Sequence, residues 1–361
     1  MNDEREMIQN APRPKPTEVL VLSEIPGVLE ALKETVPAHE AIFFHHTPGT
    51  VPTQVLMTNE FIIADPPSFS SIADRCTRGS LKWVQSTFAG VDKLVRNSTY
   101  REYTCTRLAG CFGDSIAEYC VMHTLNYLRG YDIDKSNQSN VVWGRPKEIS
   151  SPAPKPKKQM RDLTIGVLGF GDIGFRVGEV FSNFGCDIYT VRRHSGTGIQ
   201  NGPMWEKSQD YVPDFVTKSF GMDAEISGFF NQCDVVINLL PSTGQTVGLL
   251  NRNTLSQFKD GSLLINCGRG DVFGSSDSEC ETHICAALDA QSGIERCVLD
   301  VFTAEPLPET SSLWAHPKVT ITPHNAAVTH PMDVANVFHE NLTRWRDGKE
   351  LKHMVDWDKG Y

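Results

Sequence analysis

Thr164-Ile-Gly-Val-Leu-Gly-Phe-Gly-Asp-Ile-Gly174 reads as a short buried strand that runs into a glycine-rich turn and then a helix. The apolar run suits a parallel strand covered on both faces. Gly169, Gly171 and Gly174 stand at the G-x-G-x-x-G spacing. The first glycine permits the tight turn, the second lets backbone approach a pyrophosphate, and the third lets the new helix lie close to its strand. The free N–H groups of that helix then face the phosphates. Downstream, Phe175 to Phe184 continues as a helix and Asp187-Ile-Tyr-Thr-Val191 as a second strand. The stretch therefore predicts a βαβ dinucleotide-binding unit and not an isolated glycine turn.

The tip of the second strand bears on which dinucleotide fits. An acidic side chain about 20 positions beyond the first glycine would accept hydrogen bonds from the ribose 2′-OH of NAD. Here Arg192 and Arg193 stand instead. Guanidinium forks can clamp a 2′-phosphate that a carboxylate would repel, which favours NADP(H) with NAD(H) as the alternative. The competing reading is two solvated arginines on a surface turn.

Four more strands follow: Cys233 to Leu240, Gly261 to Cys267, Arg296 to Phe302 and Val319 to Thr322. They predict an α/β fold with a doubly wound parallel sheet, whose ligands bind beyond the carboxyl ends of the strands. Leu240-Pro-Ser-Thr243, Gly268-Arg-Gly-Asp271, Thr303-Ala-Glu-Pro306 and Pro323-His-Asn-Ala-Ala327 lie on that edge. It thus carries Arg269, Glu305 and His324. For reduction of a 2-keto acid, Arg269 can grip the carboxylate bidentately and polarise the keto oxygen. His324 can give a proton to the nascent alkoxide, and Glu305 beside it would favour the imidazolium. Taken singly, each side chain would more often be structural, and their shared edge with a nicotinamide site favours the functional reading.

The 361 residues suggest two domains. Before the fingerprint, strands at Glu18 to Leu22, Ala41 to His45 and Phe61 to Ala64, with a helix from Pro26, suggest a small α/β domain. Leu81 to Ser86 alternates like a strand and ends in Phe88-Ala-Gly-Val-Asp92, a turn whose backbone N–H groups could meet an anion. A helix from Asp114 leads to a proline-rich linker or surface loop, Asn137 to Arg161. The net charge of −10 argues against nucleic-acid or anionic-membrane partners. No apolar leader or spanning run is evident, so the expected compartment is the cytoplasm. Ten cysteines without C-x-x-C pairs fit reduced thiols. Cys280, His283 and Cys285 lack a fourth ligand nearby, and no metal is expected.

The motifs Val84-Gln-Ser-Thr-Phe-Ala-Gly-Val-Asp92, the glycine fingerprint, Ile237-Asn-Leu-Leu-Pro-Ser-Thr243, Leu264-Ile-Asn-Cys-Gly-Arg-Gly270, Leu299-Asp-Val-Phe-Thr-Ala-Glu-Pro306 and Thr320-Ile-Thr-Pro-His-Asn-Ala-Ala-Val-Thr329 resemble those of the D-isomer-specific 2-hydroxyacid dehydrogenases. Within that family the likeness is greatest to the glyoxylate/hydroxypyruvate reductase type. It covers the chain from about Leu81 to Val355-Asp-Trp-Asp-Lys-Gly-Tyr361 and is weak before it. The resemblance implies two Rossmann-like domains. A flavodoxin-like substrate domain is expected from residues 1–113 and 329–361, and a nucleotide-binding domain from 114–328, with a cleft that closes to exclude water. The resemblance makes Arg269, Glu305 and His324 catalytic, and has Ala89, Gly90 and Val91 hold the substrate carboxylate. Asp172 and Ile173 would face the pyrophosphate and Asp300 the nicotinamide amide. Leu240, Pro241, Ser242, Cys267, Gly268 and Ala326 would complete the cofactor site. The helix from Asp114 would help form a homodimer.

The implied activity is NAD(P)H-dependent reduction of glyoxylate or hydroxypyruvate to a D-2-hydroxy acid. An NAD-linked D-lactate-type dehydrogenase and a dinucleotide-sensing corepressor are the alternatives. The spans His194 to Gly221 and Val272 to Glu281 look longer than usual for the family and read as surface insertions.

Overall fold

Short apolar runs alternating with helices give two all-parallel sheets in the computed structural model, which describes residues 15–76, 80–97, 101–143, 158–192, 212–222, 226–290 and 292–360. They belong to two compact units, one of the described residues up to Ala109 together with those from Thr329, the other running from Gly110 to Val328.

In the first unit, β1 (Thr17–Leu22), β2 (Ala41–His45), β3 (Phe61–Ala64), β4 (Trp83–Ser86) and β5 (Thr104–Thr106) lie in the order β2-β1-β3-β4-β5. That is the flavodoxin-like order. The strand β5 escapes the sequence reading because only three residues, Thr-Cys-Thr, pair with β4. Leu20, Leu22, Ile62 and Val84 build the core on one side of this sheet. The helix Pro331–Arg346 returns to this unit through aromatic packing: Trp83 stacks on Phe338 and Trp345, at centroid distances of 5.1 and 6.1 Å. Burial of such rings stabilises by roughly 1.5–3 kcal/mol each, with stacking adding to it. At the carboxyl edge one buried carboxylate, Asp65, accepts from the Ser23 and Thr87 hydroxyls and from the Glu24 N–H. It fastens together the loops that follow β1, β3 and β4.

In the second unit, β6 (Thr164–Leu168), β7 (Asp187–Arg192), β8 (Val216–Gly221), β9 (Val235–Asn238), β10 (Ser262–Asn266), β11 (Ile294–Leu299) and β12 (Val319–Ile321) lie in the order β12-β11-β10-β9-β6-β7-β8. The first six of these strands therefore repeat the dinucleotide-binding order, and the direction of winding switches between β6 and β9. The central strands are buried on both faces, as the apolar runs require. Phe229 and Phe230 are wholly buried against them.

Three sequence readings need correction. Residues 216–221 are not part of a surface insertion but form the edge strand β8, paired with β7. Thr217 and Lys218 are exposed while Phe220 is buried, the half-solvated pattern of an edge. Of the rest of that span, residues 194–211 lie outside the described residues. The span Val272 to Glu281 is surface only in part, with Ser275, Ser276, Ser278 and Glu279 exposed. Val272 and Cys280 belong to the core, and Ser276 caps the helix Asp277–Leu288 by accepting from the Glu279 N–H. The linker reading also starts too early, because the helix Tyr131–Ser139 includes its first residues. A 3-10 turn, Met160–Asp162, stands near its end, and residues 144–157 lie outside the described set.

At the amino ends of the central strands, Asp234 accepts from the Thr164 N–H and pairs with Lys158 and Lys259. Burial pushes its carboxyl up, but those bonds outweigh burial and hold it below its ordinary value. A depressed carboxyl contributes stability that is present above its unfolded value and lost as pH falls through the folded one. Asp234→Asn is therefore expected to lower stability by about 1 kcal/mol at pH 7, with the difference from the parent vanishing in acid below the usual carboxylate range. Thermal melts of both proteins from pH 7 to pH 3 check this.

Candidate active site

Backbone contact builds the turn after β6. Gly169 has a φ of 91°, and a Cβ added there would stand 3.1 Å from the backbone of Leu239. A Cβ on Gly174 would meet the Gly169 carbonyl oxygen at 2.2 Å. Only glycine allows the helix Asp172–Asn183 to start so near its strand. Gly171 is different, since a Cβ there would meet nothing within 4 Å. Open space before the first turn of a helix, with N–H groups facing it, fits a dinucleotide's phosphates. Asp172 opens that helix, and its carboxylate accepts from the Gly110 N–H at 2.9 Å, while Ile173 is half-buried beside it. Arg192 is the last residue of β7, opposite Gly221 and half-buried. Arg193 lies outside the described residues.

Beyond β9 and β10 the sequence reading missed two supports. Asn238 and Asn266 pair across the register and are wholly buried. The Asn238 amide donates to Asn266 Oδ1 at 2.8 Å, and the Gly268 N–H donates to the same oxygen at 3.1 Å. The Asn266 amide donates to the Arg269 carbonyl at 3.1 Å, and the Leu240 N–H reaches Asn238 Oδ1 at 3.3 Å. These bonds fix the loops that carry Leu240, Pro241, Ser242, Cys267, Gly268 and Arg269. The Ser242 hydroxyl donates to Asp271 at 2.5 Å. The signal was present in the sequence: an asparagine closes each of two apolar runs, Val-Val-Ile-Asn and Leu-Leu-Ile-Asn.

Arg269, Glu305 and His324 emerge from the ends of β10, β11 and β12 at one sheet edge. His324 Nδ1 lies 2.8 Å from Glu305 Oε2, and the other Glu305 oxygen accepts from the Phe302 N–H at 3.0 Å. Burial raises the Glu305 carboxyl, but the His324 hydrogen bond, the Phe302 N–H and the charges of His324 and Arg269 together hold it below its ordinary value. Glu305 is thus a carboxylate near neutral pH and can only accept, so Nδ1 of His324 carries a proton. The Arg269 guanidinium donates to the Gly268 carbonyl at 2.7 Å.

His324 has a φ of 52°, a left-handed backbone uncommon for a residue with a side chain. Asp300 holds it there. This residue is buried; its carbonyl accepts from the His324 N–H at 2.9 Å, and its carboxylate accepts from the N–H groups of Asn325 and Ala326 at 2.9 and 3.0 Å. The third group named from sequence, Ala89-Gly90-Val91, belongs to the first unit. There it forms the half-buried turn between β4 and the helix Asp92–Asn97, with the Val91 side chain in the core.

Residues 121–326 match the family model described as the D-isomer specific 2-hydroxyacid dehydrogenase NAD binding domain, more than half of the chain. A D-isomer specific 2-hydroxyacid dehydrogenase family protein from Aeromonas salmonicida is 27% identical, with a TM-score of 0.78 over 95% of this chain and 100% of that one. A D-isomer specific 2-hydroxyacid dehydrogenase from Xanthobacter autotrophicus Py2, in complex with NADPH and MES, is 25% identical, with a TM-score of 0.78 over 96% and 100%. The NADPH-dependent glyoxylate/hydroxypyruvate reductase of Sinorhizobium meliloti, in complex with NADP and sulfate, shares the fold at 23% identity, with a TM-score of 0.75 over 96% and 100%. Matched by that model across the strands and loops that carry the glycine turn and the arginine, glutamate and histidine, the chain belongs to the D-isomer specific 2-hydroxyacid dehydrogenases.

Proposed function

We propose that the chain reduces small 2-keto acids of the glyoxylate and hydroxypyruvate class to D-2-hydroxy acids, with NADPH as the preferred reductant. The observation that carries the reading is the 2.8 Å pair of His324 and Glu305, on the same sheet edge as Arg269. When bound, the nicotinamide cofactor supplies a hydride to the keto carbon. Arg269 pairs with the substrate carboxylate and draws electron density toward the keto oxygen. As that oxygen gains charge, His324 delivers the proton from Nε2 and keeps the one on Nδ1. The negative charge of Glu305 stabilises the imidazolium before transfer and holds the ring in one orientation afterwards. Ala89, Gly90 and Val91 are assigned the substrate carboxylate through their backbone N–H groups.

For the cofactor, Gly169, Gly171, Asp172, Ile173 and Gly174 take the pyrophosphate, and Arg192 and Arg193 take a 2′-phosphate. Leu240, Pro241, Ser242, Cys267, Gly268, Asp300 and Ala326 line the remainder. The choice of NADPH draws support from Arg192 at the end of β7 and from the NADPH and NADP bound to the Xanthobacter and Sinorhizobium proteins. The Sinorhizobium protein's activity likewise supports the substrate class. We assign a homodimer in the cytoplasm.

Two measurements test the reading. Arg269→Ala is expected to lower kcat/KM for glyoxylate on the order of 100- to 1000-fold, read from loss of nicotinamide absorbance. An unaffected rate removes Arg269 from the reaction. Arg192→Ala is expected to raise the KM for NADPH roughly tenfold while leaving that for NADH nearly unchanged. Equal changes for both cofactors in steady-state assays would show that Arg192 does not read the 2′-phosphate.

A further inference from the structure

Behind the histidine loop runs a chain of hydroxyls that the proposed chemistry does not use. The Thr322 hydroxyl donates to Asp300 Oδ1 at 2.6 Å, and the Tyr119 hydroxyl lies 2.6 Å from that same threonine oxygen. A threonine hydroxyl has one proton. Since Thr322 gives it to Asp300, Tyr119 must be the donor to Thr322. The direction is fixed from the helix Gly113–Arg129 inward, through Thr322, to the carboxylate. Tyr119 is buried, and burial pushes its phenol well above the ordinary value, so it remains a neutral donor at any working pH. Its ring lies against His123 with centroids 4.3 Å apart, which leaves the hydroxyl little freedom to swing away.

The receiving end is the clamp on the histidine loop. Asp300 accepts from the N–H groups of His324, Asn325 and Ala326, using its carbonyl for the first and its carboxylate for the others. Three successive backbone groups therefore hang from one residue, and the first belongs to a histidine in a left-handed conformation. A donor arriving from Thr322 keeps the Asp300 carboxylate at the angle at which both loop amides reach it.

We propose that Tyr119 is a positioning residue for the reduction: through Thr322 it locks the Asp300 carboxylate that clamps the backbone presenting His324. This rests on the reaction proposed above, in which His324 delivers the proton. Tyr119 itself touches neither substrate nor proton.

The experiment compares Tyr119→Phe, Thr322→Val and Thr322→Ser in the full chain, by steady-state kinetics with glyoxylate and NADPH and by hydrogen exchange of the peptide covering residues 322–326. Tyr119→Phe is expected to lower kcat roughly 3- to 10-fold, the worth of one net hydrogen bond, with the KM for glyoxylate within about twofold. Exchange across 322–326 should speed by a similar factor while the rest of the second unit is unchanged. Combining Tyr119→Phe with Thr322→Val should cost no more than the larger single change, because both cut one chain. Thr322→Ser should recover what Thr322→Val loses. Unchanged kcat and exchange in Tyr119→Phe, or additive losses in the double variant, overturn the proposal, as does a fall in melting temperature alone. If the parent protein turns over no keto acid, the reaction reading fails, and the exchange arm alone decides for or against the clamp.

Discussion

A helix placed almost in contact with the strand before it is the constraint on which the nucleotide-binding unit depends. With Gly174 so near the Gly169 carbonyl that a methyl group would overlap it, the helix Asp172–Asn183 has one place to begin. Its first N–H groups are then committed to the space before Gly171. Once that start is set, β7 can lie on one side of β6 and β9 on the other, and the switch in winding direction opens a crevice at the carboxyl ends. Close approach recurs further along the edge. A Cβ on Gly270 would stand 2.1 Å from the Phe302 carbonyl carbon, so the loop after β10 is pressed against the end of β11. Glycines here are selected for the backbone they let in, as much as for the turns they make.

Much of this architecture is legible in the chain because its signals are local. Apolar runs of four to six residues ending in glycine, asparagine or proline announce buried parallel strands, and the doubly wound order follows from their alternation with helices. Elements that depend on a neighbour are harder to read. The strand β5 is three residues long and exists because β4 offers it a ladder. The strand β8 has a half-polar face, and an edge needs no more. Neither carries a periodicity strong enough to stand apart from a loop. The long helix after Gly113 is plain from its apolar pattern, yet nothing in that pattern tells that Tyr119 meets Thr322, which stands some 200 positions later.

The site divides along the same line. Arg269, Glu305 and His324 can be named as candidates because the proposed reduction of a keto acid calls for a cation, a proton and a charge to steady that proton. The groups that hold them are another matter. Asn238, Asn266 and Asp300 are buried polar residues whose groups are taken up by one another, by the Thr322 hydroxyl and by the backbone of neighbouring loops. In a core such groups are tolerated only when satisfied, and each satisfied one confines a loop to a single course. An amino-acid sequence reveals that an asparagine ends a strand, but the carbonyl it will serve is settled only when three loops converge.

The left-handed backbone of His324 bears on how this position can change over time. Residues with a positive φ are replaced at low energetic cost by glycine, asparagine or aspartate, whereas β-branched residues are strongly disfavoured there. Most exchanges at this position therefore threaten the loop as well as the proposed proton transfer, and the two losses would come together. A chain that gave up the proposed reaction while keeping this loop would have a narrow route open to it, through asparagine, aspartate or glycine. One backbone angle thus couples what this position could become chemically to the shape its loop can keep.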